Sequence, residues 1–341
     1  MKPGISIVIC TYNGAKLLPK TIEHLAKQQV RPEIPWEIII VDNASTDNTA
    51  QVAQGELRKW QLPVPYSVLH QPKPGLTFAR ELAYAHAEFE YILLCDDDNW
   101  LNSDYVNLAF DLMEQHPNIG ALGGYGDLVY EEEPPYYATQ LRLFANGHQA
   151  PQSGKVTKNI VYGAGCIIRK SAYYKLFQMG FTPLLTDRVA SSLSSGGDYE
   201  MCYALTLIGY DIWYDARLTF KHYMVKQRQT WDYYLRYLQE SAACFEVLDA
   251  YSLLATQGCK SEVTFNIHLF KNFLYYLKEI SGLTYKKLTL DPASEEGKEN
   301  TLRFLSTKTR LKGYKKYFTI RRNFLHLLEF VNNRNRGAVA K

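Results

Sequence analysis

Residues 90–98 read EYILLCDDD, an apolar run followed at once by three aspartates. The apolar part has the length and composition of a strand that is buried on both faces of a sheet. Three adjacent carboxylates at the end of such a strand repel one another unless a cation or hydrogen-bond donors neutralise them. This stretch therefore predicts a buried strand whose carboxyl end carries a charged site.

Two earlier apolar runs also end in polar residues. Residues 5–10 (ISIVIC) are followed by TYNG, and residues 36–41 (WEIIIV) are followed by DNASTD. With a short third strand at 66–70 and helical patterns between the runs, strand, turn and helix alternate four times up to residue 98. This alternation is typical of an α/β protein with a parallel, doubly wound sheet and helices on both faces. In such sheets ligands bind beyond the carboxyl ends of the strands, where these polar residues would meet.

The later part of the chain divides near residue 225. Strands are predicted at 120–130, 160–169 and 212–214, loops at 131–158 and 191–197, and helices at 231–255, 264–281 and 314–333. The change from a mixed pattern to helical patterns rich in Tyr, Phe and Leu indicates two regions. We predict an α/β domain over residues 1–225 and a mainly helical region with a basic tail over residues 226–341.

Composition excludes several classes of protein. The chain has 341 residues, of which 46% are hydrophobic, and this excludes a disordered chain. No 18-residue run lacks charge or strong polarity, and the first residues lack a signal-peptide pattern, so we expect neither a membrane-spanning helix nor a leader. The six cysteines are too sparse for a disulfide scaffold and have no zinc-binding spacing. We therefore expect a cytoplasmic protein.

Charge is concentrated at the C-terminal end. Residues 301–341 hold eleven Lys and Arg against one acid, which leaves 27 basic and 34 acidic residues in the rest of the chain. Such segregation indicates a polyanionic partner, either an anionic membrane or nucleic acid, unless the tail is simply a solvated basic terminus. No groove-reading motif is recognisable, so we expect no nucleic acid partner.

The same tail contains an apolar stripe at helical spacing. Its members are Tyr317, Ile320, Phe324, Leu327, Leu328 and Val331. A basic helix with such a stripe can lie in the headgroup region of a bilayer. We predict peripheral docking on the inner face of an anionic membrane; the alternative is that the stripe packs against the α/β domain.

The three aspartates at 96–98, directly after the predicted strand, also indicate a bound cation. Hard carboxylate oxygens select Mg²⁺ or Mn²⁺. Such ions commonly keep only one or two protein carboxylates and take their other ligands from substrate phosphates. A divalent ion and a diphosphate therefore form one hypothesis, and an Asp-rich turn before a helix N-cap is the alternative.

Five motifs together resemble those of a known family. In chain order they are SIVICTYNG at 6–14, IVDNASTD at 40–47, PGLTFAR at 74–80, LCDDD at 94–98 and GGDYEMC at 196–202. Their order and spacing resemble the family 2 glycosyltransferases with the GT-A fold, over roughly residues 4–225. The resemblance implies a Rossmann-like, mostly parallel sheet. It also implies transfer of a sugar from a nucleotide-diphosphate donor, usually UDP-linked, with inversion at the anomeric carbon.

The resemblance assigns donor-side roles to residues at the strand ends. Thr11, Tyr12 and the adjacent Asn13 would line the base and ribose pocket. Asp42 would accept a hydrogen bond from the uracil imide, as a carboxylate can. Arg80 would face the nucleotide.

The resemblance also implies metal ligands. Asp96 would contact the ribose side, with Asp97 beside it, and Asp98 would hold the Mn²⁺ or Mg²⁺ ion that bridges the diphosphate. His222, in the segment FKH, would be a further ligand, although a lone histidine is also commonly a packed or capping residue. Asp96, Asp98 and His222 are thus the candidate metal ligands.

Inversion by direct displacement needs one general base on the acceptor side of the anomeric carbon. The family's base belongs to a Glu-Asp motif before a helix, and here that motif reads Gly197-Asp198. Asp198 is therefore the candidate base and Glu200 its rival, while a helix N-cap is the alternative role for Asp198. Gly163 and Gly165 are expected on the acceptor side, where a missing side chain would let the sugar or acceptor lie against the backbone.

The acceptor implied by the resemblance is a saccharide or a lipid-linked molecule of surface polysaccharide or glycan synthesis. Two other functions stay open from sequence alone. A nucleotidyltransferase would use a similar sheet, but it would be expected to carry a Gly-rich basic loop after the first strand, where this chain has TYNG. A non-catalytic nucleotide-sugar binding protein is the third, and the presence of both Asp98 and Asp198 argues against it.

Overall fold

The computed structural model describes residues 1–140, 143–185, 196–241 and 244–339. The strands are β1 (Lys2–Thr11), β2 (Trp36–Asn43), β3 (Tyr66–Gln71), β4 (Phe89–Leu94), β5 (Asn99–Leu101), β6 (Ile119–Tyr130), β7 (Gly154–Lys155), β8 (Ile167–Arg169) and β9 (Asp211–Met224). The first seven helices are α1 (Leu18–Ala26), α2 (Thr49–Lys59), α3 (Leu76–His86), α4 (Tyr105–Gln115), α5 (Tyr136–Gln140), α6 (Lys170–Gln178) and α7 (Gly197–Leu207). The remaining helices are α8 (Trp231–Ser241), α9 (Phe245–Ala255), α10 (Glu262–Thr289), α11 (Glu295–Gly313) and α12 (Tyr317–Val339). Most of the predicted loop at 191–197 lies outside the described residues.

One sheet joins all of the strands named above. Its first half is parallel, in the order β3-β2-β1-β4, and its second half is mixed, in the order β8-β6-β9-β5, with β7 beside β9. In the parallel half Ile7 lies between Ile38 and Leu93, and all three are fully buried. In the mixed half β8 is antiparallel to both β4 and β6, whereas β6 and β9 are parallel. The predicted mixed α/β class with a mostly parallel sheet is confirmed.

Helices cover both faces of the sheet. Successive residues of a strand point to opposite faces, so in β1 Val8 joins one core, while Ile7 and Ile9 join the other. Helices α3, α6 and α7 contribute to the first core, and α1, α2 and α4 contribute to the second. Because both faces are covered, the carboxyl ends of the parallel strands are left as the open edge of this half of the sheet.

Several predicted elements differ from the observed ones. The strand predicted at 160–169 is restricted to β8, because Gly165 has a φ of +68°, which turns the chain away from an extended course. The strand predicted at 212–214 is the start of the much longer β9. The helix predicted at 231–255 is two helices, and α11 was not predicted. Short strands such as β5 carry too little sequence pattern to be recognised.

The apolar stripe of the tail packs inward. Ile320, Phe324 and Leu327 of α12 are almost completely buried, and the Phe324 ring stacks on Phe265 of α10 with 4.4 Å between ring centroids. Arg321, next to the stripe, makes two hydrogen bonds to the Glu262 carboxylate. This stripe is therefore a packing surface within the protein, as the alternative held, but the neighbour shown by the Phe324–Phe265 stack is helix α10 and not the α/β domain. Within the described ranges, no helix has both the length and the apolar composition needed to cross a bilayer.

Phe324→Ala should lower the free energy of unfolding by about 3–5 kcal/mol, because it removes a fully buried ring. Phe318→Ala, in the same helix, is the matched control: that ring is 80% exposed, and its removal should change the free energy by no more than about 0.5 kcal/mol. Chemical denaturation followed by circular dichroism compares the two. Small and equal effects would contradict the inward packing of α12.

Candidate active site

Asp98 is the centre of a buried polar cluster just beyond β4. The residue is 3% exposed, and its Oδ2 atom accepts a hydrogen bond from Nη1 of Arg228 at 2.7 Å. Its Oδ1 atom accepts one from the Asn99 side chain at 3.0 Å. The His222 ring lies on the same side, with Nε2 3.6 Å from Oδ1 of Asp98. One buried carboxylate thus has two basic groups and an amide around it.

The pairing of β5 with β9 brings His222 to this place. Asn99 and His222 are direct partners in the antiparallel ladder, so the residue after Asp98 lies opposite the histidine. Nδ1 of His222 is 3.2 Å from the carbonyl oxygen of Ala145. When Nδ1 donates to that carbonyl, Nε2 is left facing Asp98, so the ring is oriented from both sides.

The three aspartates have different pKa values because their surroundings differ. Burial and the charge of Asp98 raise the pKa of Asp96, and the same two causes raise the pKa of Asp97 to about 7. Burial would also raise the pKa of Asp98, but His222 and Arg228 outweigh it and hold that pKa well below its usual range. In turn Asp98 raises the pKa of His222 against the effect of burial. The cluster therefore has one well-neutralised carboxylate and two that are crowded by negative charge.

The loop after β1 contacts the aspartates directly. The Thr11 hydroxyl donates to the Asp97 carboxylate, and the Thr21 hydroxyl donates to the Asp97 carbonyl. A side chain at Gly14 would not fit, because its Cβ would lie 2.0 Å from Oγ1 of Thr11 and 2.5 Å from Oδ2 of Asp97. The glycine of the TYNG motif therefore permits the close approach of the two strand ends.

The loops after β1 and β2 are joined to each other. Asn13, with a φ of +54°, accepts a hydrogen bond from the Thr46 amide and donates its own amide proton to the Ser45 hydroxyl. Asp42 at the end of β2 is buried and accepts from the Ser45 amide at 3.2 Å. The Tyr12 ring beside them is half exposed. The residues predicted to surround the base and ribose thus lie together at one edge of the sheet.

Asp198 lies on a different element, in the first turn of α7. Gly196 is the N-cap of this helix, so Asp198 does not have the capping role that the sequence left open. Its Oδ1 atom is 2.8 Å from Nη1 of Arg80, and its Oδ2 atom accepts a hydrogen bond from the Gly163 amide at 3.1 Å. Arg80 is also among the charges that act on Asp96, whose pKa it lowers. Arg80 is therefore paired with Asp198 and also acts on the charge of Asp96.

The two predicted acceptor-side glycines have packing reasons of their own. A Cβ at Gly163 would lie 2.3 Å from Oδ2 of Asp198, so this carboxylate occupies the space that the missing side chain leaves. A Cβ at Gly165 would lie 2.7 Å from the Tyr105 hydroxyl, which donates to the Gly165 carbonyl, and 2.9 Å from the Phe220 ring. Contact of either glycine with an acceptor stays a prediction.

Glu200 is a buried structural acceptor. It is 3% exposed, and its carboxylate accepts hydrogen bonds from the amides of Leu184 and Leu185 and from the Tyr251 hydroxyl. These bonds join α7 to α9 and to the segment before the undescribed residues 186–195. A cavity of about 80 Å³ lies between Glu200, Arg80 and Asp198, with mostly apolar walls from α3, α6 and α7.

Sequence reasoning missed Arg228. It lies in a short 3-10 turn, Lys226–Gln229, and reaches Asp98 across 130 positions of sequence. Its guanidinium pKa is raised by Asp98 in spite of burial. The only sequence signal is a basic turn directly after the strand that carries His222, and such turns are common on protein surfaces. The helical region therefore contributes a charge to the site.

The aspartate cluster fits a divalent ion only if a substrate supplies ligands. Among the described residues, no set of three or more His, Cys, Asp and Glu side chains is arranged to hold a metal. Asp98 and His222 face each other, and Asp96 is crowded by the charge of Asp98, so added positive charge would stabilise the cluster. Two protein ligands with the remainder from a diphosphate is an arrangement that Mg²⁺ commonly adopts.

Gly163→Ala should displace the Asp198 carboxylate and thereby reduce any activity that depends on it by about 100-fold or more, because small misplacements at a reacting centre have effects of that size. Nucleotide affinity should change little, since the strand-end residues are untouched. Gly55→Ala is the matched control, because a Cβ there meets no atom within 4 Å and helix α2 should be slightly stabilised. Activity of the Gly163 variant equal to that of the Gly55 variant would contradict the described placement of Asp198.

The first half of the chain matches a known protein family. Residues 6–177, just over half of the chain, match the family described as Glycosyl transferase family 2. A segment of 111 residues is 31% identical to the poly(ribitol-phosphate) beta-N-acetylglucosaminyltransferase TarS of Staphylococcus aureus, and covers 33% of this chain and 19% of TarS. A segment of 126 residues is 29% identical to the glycosyltransferase GlyG of Streptococcus pneumoniae, and covers 37% of this chain and 40% of GlyG. The matched segments thus span less than half the length of either relative.

Two solved structures resemble the whole fold. The crystal structure of TarS residues 1–349 with UDP-GlcNAc has a TM-score of 0.54 at 17% identity, over 93% of this chain and 92% of that one. The mannosyltransferase PcManGT of Pyrobaculum calidifontis, in complex with GDP-Man and Mn²⁺, has a TM-score of 0.53 at 15% identity, over 91% and 88%. At these identities the likeness establishes the fold alone, and it confirms a GT-A-like architecture with a C-terminal helical region. Because the family match covers more than half of the chain, and includes most of β1, all of β2 and β4, and the three aspartates after β4, the chain belongs to glycosyltransferase family 2.

Proposed function

We propose that this protein is an inverting glycosyltransferase that moves a hexosyl or N-acetylhexosaminyl group from a nucleotide-diphosphate donor to a saccharide or lipid-linked acceptor. Surface polysaccharide or glycan synthesis is the process in which we place it. The observation that carries the proposal is the arrangement of charge. An aspartate cluster at the strand ends, with Asp98 buried, is suited to a divalent ion that carries a nucleotide diphosphate, and a further carboxylate, Asp198, is paired with Arg80.

UDP is the proposed nucleotide. The sequence resemblance favours it, and the TarS structure with UDP-GlcNAc has a similar fold. Asp42 is buried at the end of β2. Its Oδ1 atom accepts the Ser45 amide, whereas its Oδ2 atom lies 3.5 Å from Nδ1 of the exposed His70 ring. A carboxylate in this position can accept a hydrogen bond from an imide N–H. The half-exposed Tyr12 ring offers an apolar surface for the base.

A divalent ion, Mn²⁺ or Mg²⁺, is the proposed cofactor. Asp98 and His222 would hold it, with Asp96 close by, and a donor diphosphate would supply the remaining ligands. The ion would stabilise the negative charge of the departing diphosphate. In this structure Arg228 neutralises Asp98. We propose that Arg228 gives up this contact when the donor and the ion bind. Its charge would then face the diphosphate.

Asp198 is the proposed general base. Its carboxylate would accept the proton of an acceptor hydroxyl as the new bond forms between that oxygen and the anomeric carbon. The bond from the anomeric carbon to the diphosphate oxygen would break at the same time, and the bonding electrons would leave with the diphosphate. Arg80 and the Gly163 amide fix the orientation of Asp198. Glu200 is less suited to this task, because its oxygens already accept three hydrogen bonds.

An anionic membrane is the proposed partner of the helical region, and the inner face of a membrane is the proposed location. The excess of basic residues after residue 301 supports an anionic membrane as partner. A lipid-linked acceptor would give this contact a purpose. The α12 stripe is buried, so the contact would be made by another surface of this region. We also propose that residues 1–225 form the catalytic domain and that residues 226–341 complete its site through Arg228.

Asp98→Asn should reduce transfer by about 100-fold or more, because the loss of a charged ligand weakens metal binding and with it several kcal/mol of charge stabilisation. Asp104→Asn, at an exposed helix start without a side-chain capping bond, is the control and should keep wild-type turnover. Release of UDP from UDP-sugars in the presence of acceptor measures both. Full activity of the wild-type protein in excess EDTA would refute the proposed metal requirement.

Asp198→Asn should retain nucleotide affinity within about threefold but lose transfer by a factor of about 10² to 10⁴, as expected for a general base. Calorimetric titration with the nucleotide and single-turnover transfer separate the two effects. Glu200→Gln should instead lower stability, because Glu200 holds backbone amides. Wild-type turnover by the Asn variant, with a folded but inactive Gln variant, would assign the base to Glu200.

A further inference from the structure

Helix α10 carries an exposed apolar row on one side. Positions that alternate in steps of four and three along this helix are all exposed: Val263, Ile267, Phe270, Leu274, Leu277, Ser281, Thr284 and Leu288. Two further exposed rings, Tyr275 and Tyr285, lie beside them. We name these ten residues the α10 face. The helix has 28 residues and is about 42 Å long, so the face is a long, narrow strip.

The opposite side of α10 already packs against the molecule. Phe265, Leu269 and Leu283 are buried, and Asn300 of α11 donates a hydrogen bond to the Leu283 carbonyl. A helix with one buried side needs no second apolar side for folding. The second side is large, because Phe270, Tyr275 and Tyr285 are each at least 60% exposed and each leaves on the order of 100 Å² of ring surface in water. Contiguous patches of several hundred Å² mark interaction sites.

Positive charge lies close to this face. Lys271, Lys278, Lys286 and Lys287 are exposed on the same helix. Its two acids are Glu262, which Arg321 neutralises, and Glu279. Residues 260–333 together hold fourteen Lys and Arg against seven Asp and Glu. The surface therefore combines apolar and aromatic side chains with lysines, of which Lys271 and Lys278 flank the row on one side.

We infer that the α10 face docks on an anionic membrane, with the helix parallel to the surface and its apolar side chains in the headgroup region. Aromatic and aliphatic side chains with flanking lysines are suited to this position. The long aliphatic part of lysine can also lie along the apolar layer while the ammonium group reaches the phosphates. Phe318 of α12, which is 80% exposed, follows Tyr317, whose hydroxyl bonds to Asn266, so it adds a ring next to α10.

A second copy of the chain fits this face less well. Spacing in steps of four and three also suits a helix pair, but Ser281 and Thr284 interrupt the apolar row in its C-terminal half. Pairing would also bring together two regions that each carry an excess of positive charge, which is unfavourable. Anionic lipid removes this repulsion. Docking at this face rests on the proposed function in one respect only: the proposed function gives it a purpose, which is access to a lipid-linked acceptor.

Sedimentation of the full chain with vesicles tests the inference. The protein should bind vesicles containing phosphatidylglycerol, bind phosphatidylcholine vesicles much more weakly, and dissociate as salt is added. The double variant Phe270→Asp/Leu274→Asp should lose binding by 30-fold or more. Tyr66→Asp, an exposed ring on β3, is the matched control and should bind as the wild type does. A wild-type protein that does not bind, or a double variant that binds equally well, would overturn the inference.

The charge contribution has its own pair of variants, which also covers the case of a double variant that fails to fold. Lys271→Gln/Lys278→Gln leaves the apolar side chains intact and should weaken binding roughly 30-fold, at about 1 kcal/mol for each lysine. Lys2→Gln/Lys59→Gln, on the α/β part, should leave it unchanged. Equal binding by both pairs would contradict electrostatic docking at this face.

Two further readouts separate the possible causes of failure. If the wild-type protein is a dimer in sedimentation velocity and Phe270→Asp/Leu274→Asp is a monomer, a second copy occupies the face and the inference is wrong. Transfer to a water-soluble acceptor should be unchanged in that double variant. Vesicle binding by a protein without transferase activity would support docking and refute the proposed function. Transferase activity without vesicle binding would support the proposed function and refute docking.

Discussion

The crowding of three carboxylates at a buried strand end is the constraint on which the site depends. Asp98 keeps its charge because Arg228 and His222 surround it, and the charge of Asp98 in turn raises the pKa of Asp96 and Asp97 beyond the effect of burial. A single negative charge can be balanced in this way, but the cluster as a whole is short of positive charge. That shortage is the physical reason for expecting a cation to arrive together with its substrate.

The fold supplies this arrangement by bringing distant segments to one edge. The parallel strands end together, and Gly14 permits the loop after β1 to touch Asp97. The antiparallel pair β5–β9 places His222 opposite the residue that comes after Asp98. The turn after β9 then carries Arg228 into the cluster. The helical region is thus connected to the site by the Arg228–Asp98 ion pair as well as by the shared core. The base candidate Asp198 lies on helix α7, paired with Arg80.

Sequence alone predicted the features that depend on local pattern. Continuous apolar runs identified β1, β2 and β4, and the polar residues after them identified the edge where a ligand would bind. It could not predict contacts that depend on chain topology: the ion pair of Arg228 with Asp98 spans 130 positions, and nothing local distinguishes this arginine from surface ones. The α12 stripe shows the same limit, because periodicity reveals that a helix has an apolar side, but not whether protein or solvent lies next to it.

We propose that Arg228 neutralises Asp98 only until a metal–nucleotide complex takes its place. A crystal structure of the protein grown with UDP and Mn²⁺, with anomalous diffraction recorded at the manganese edge, would test this exchange. We expect an anomalous peak between Asp98, His222 and the diphosphate, with the Arg228 guanidinium no longer bonded to Asp98. Bound UDP with the Arg228–Asp98 ion pair intact and no manganese beside it would show that this exchange does not occur.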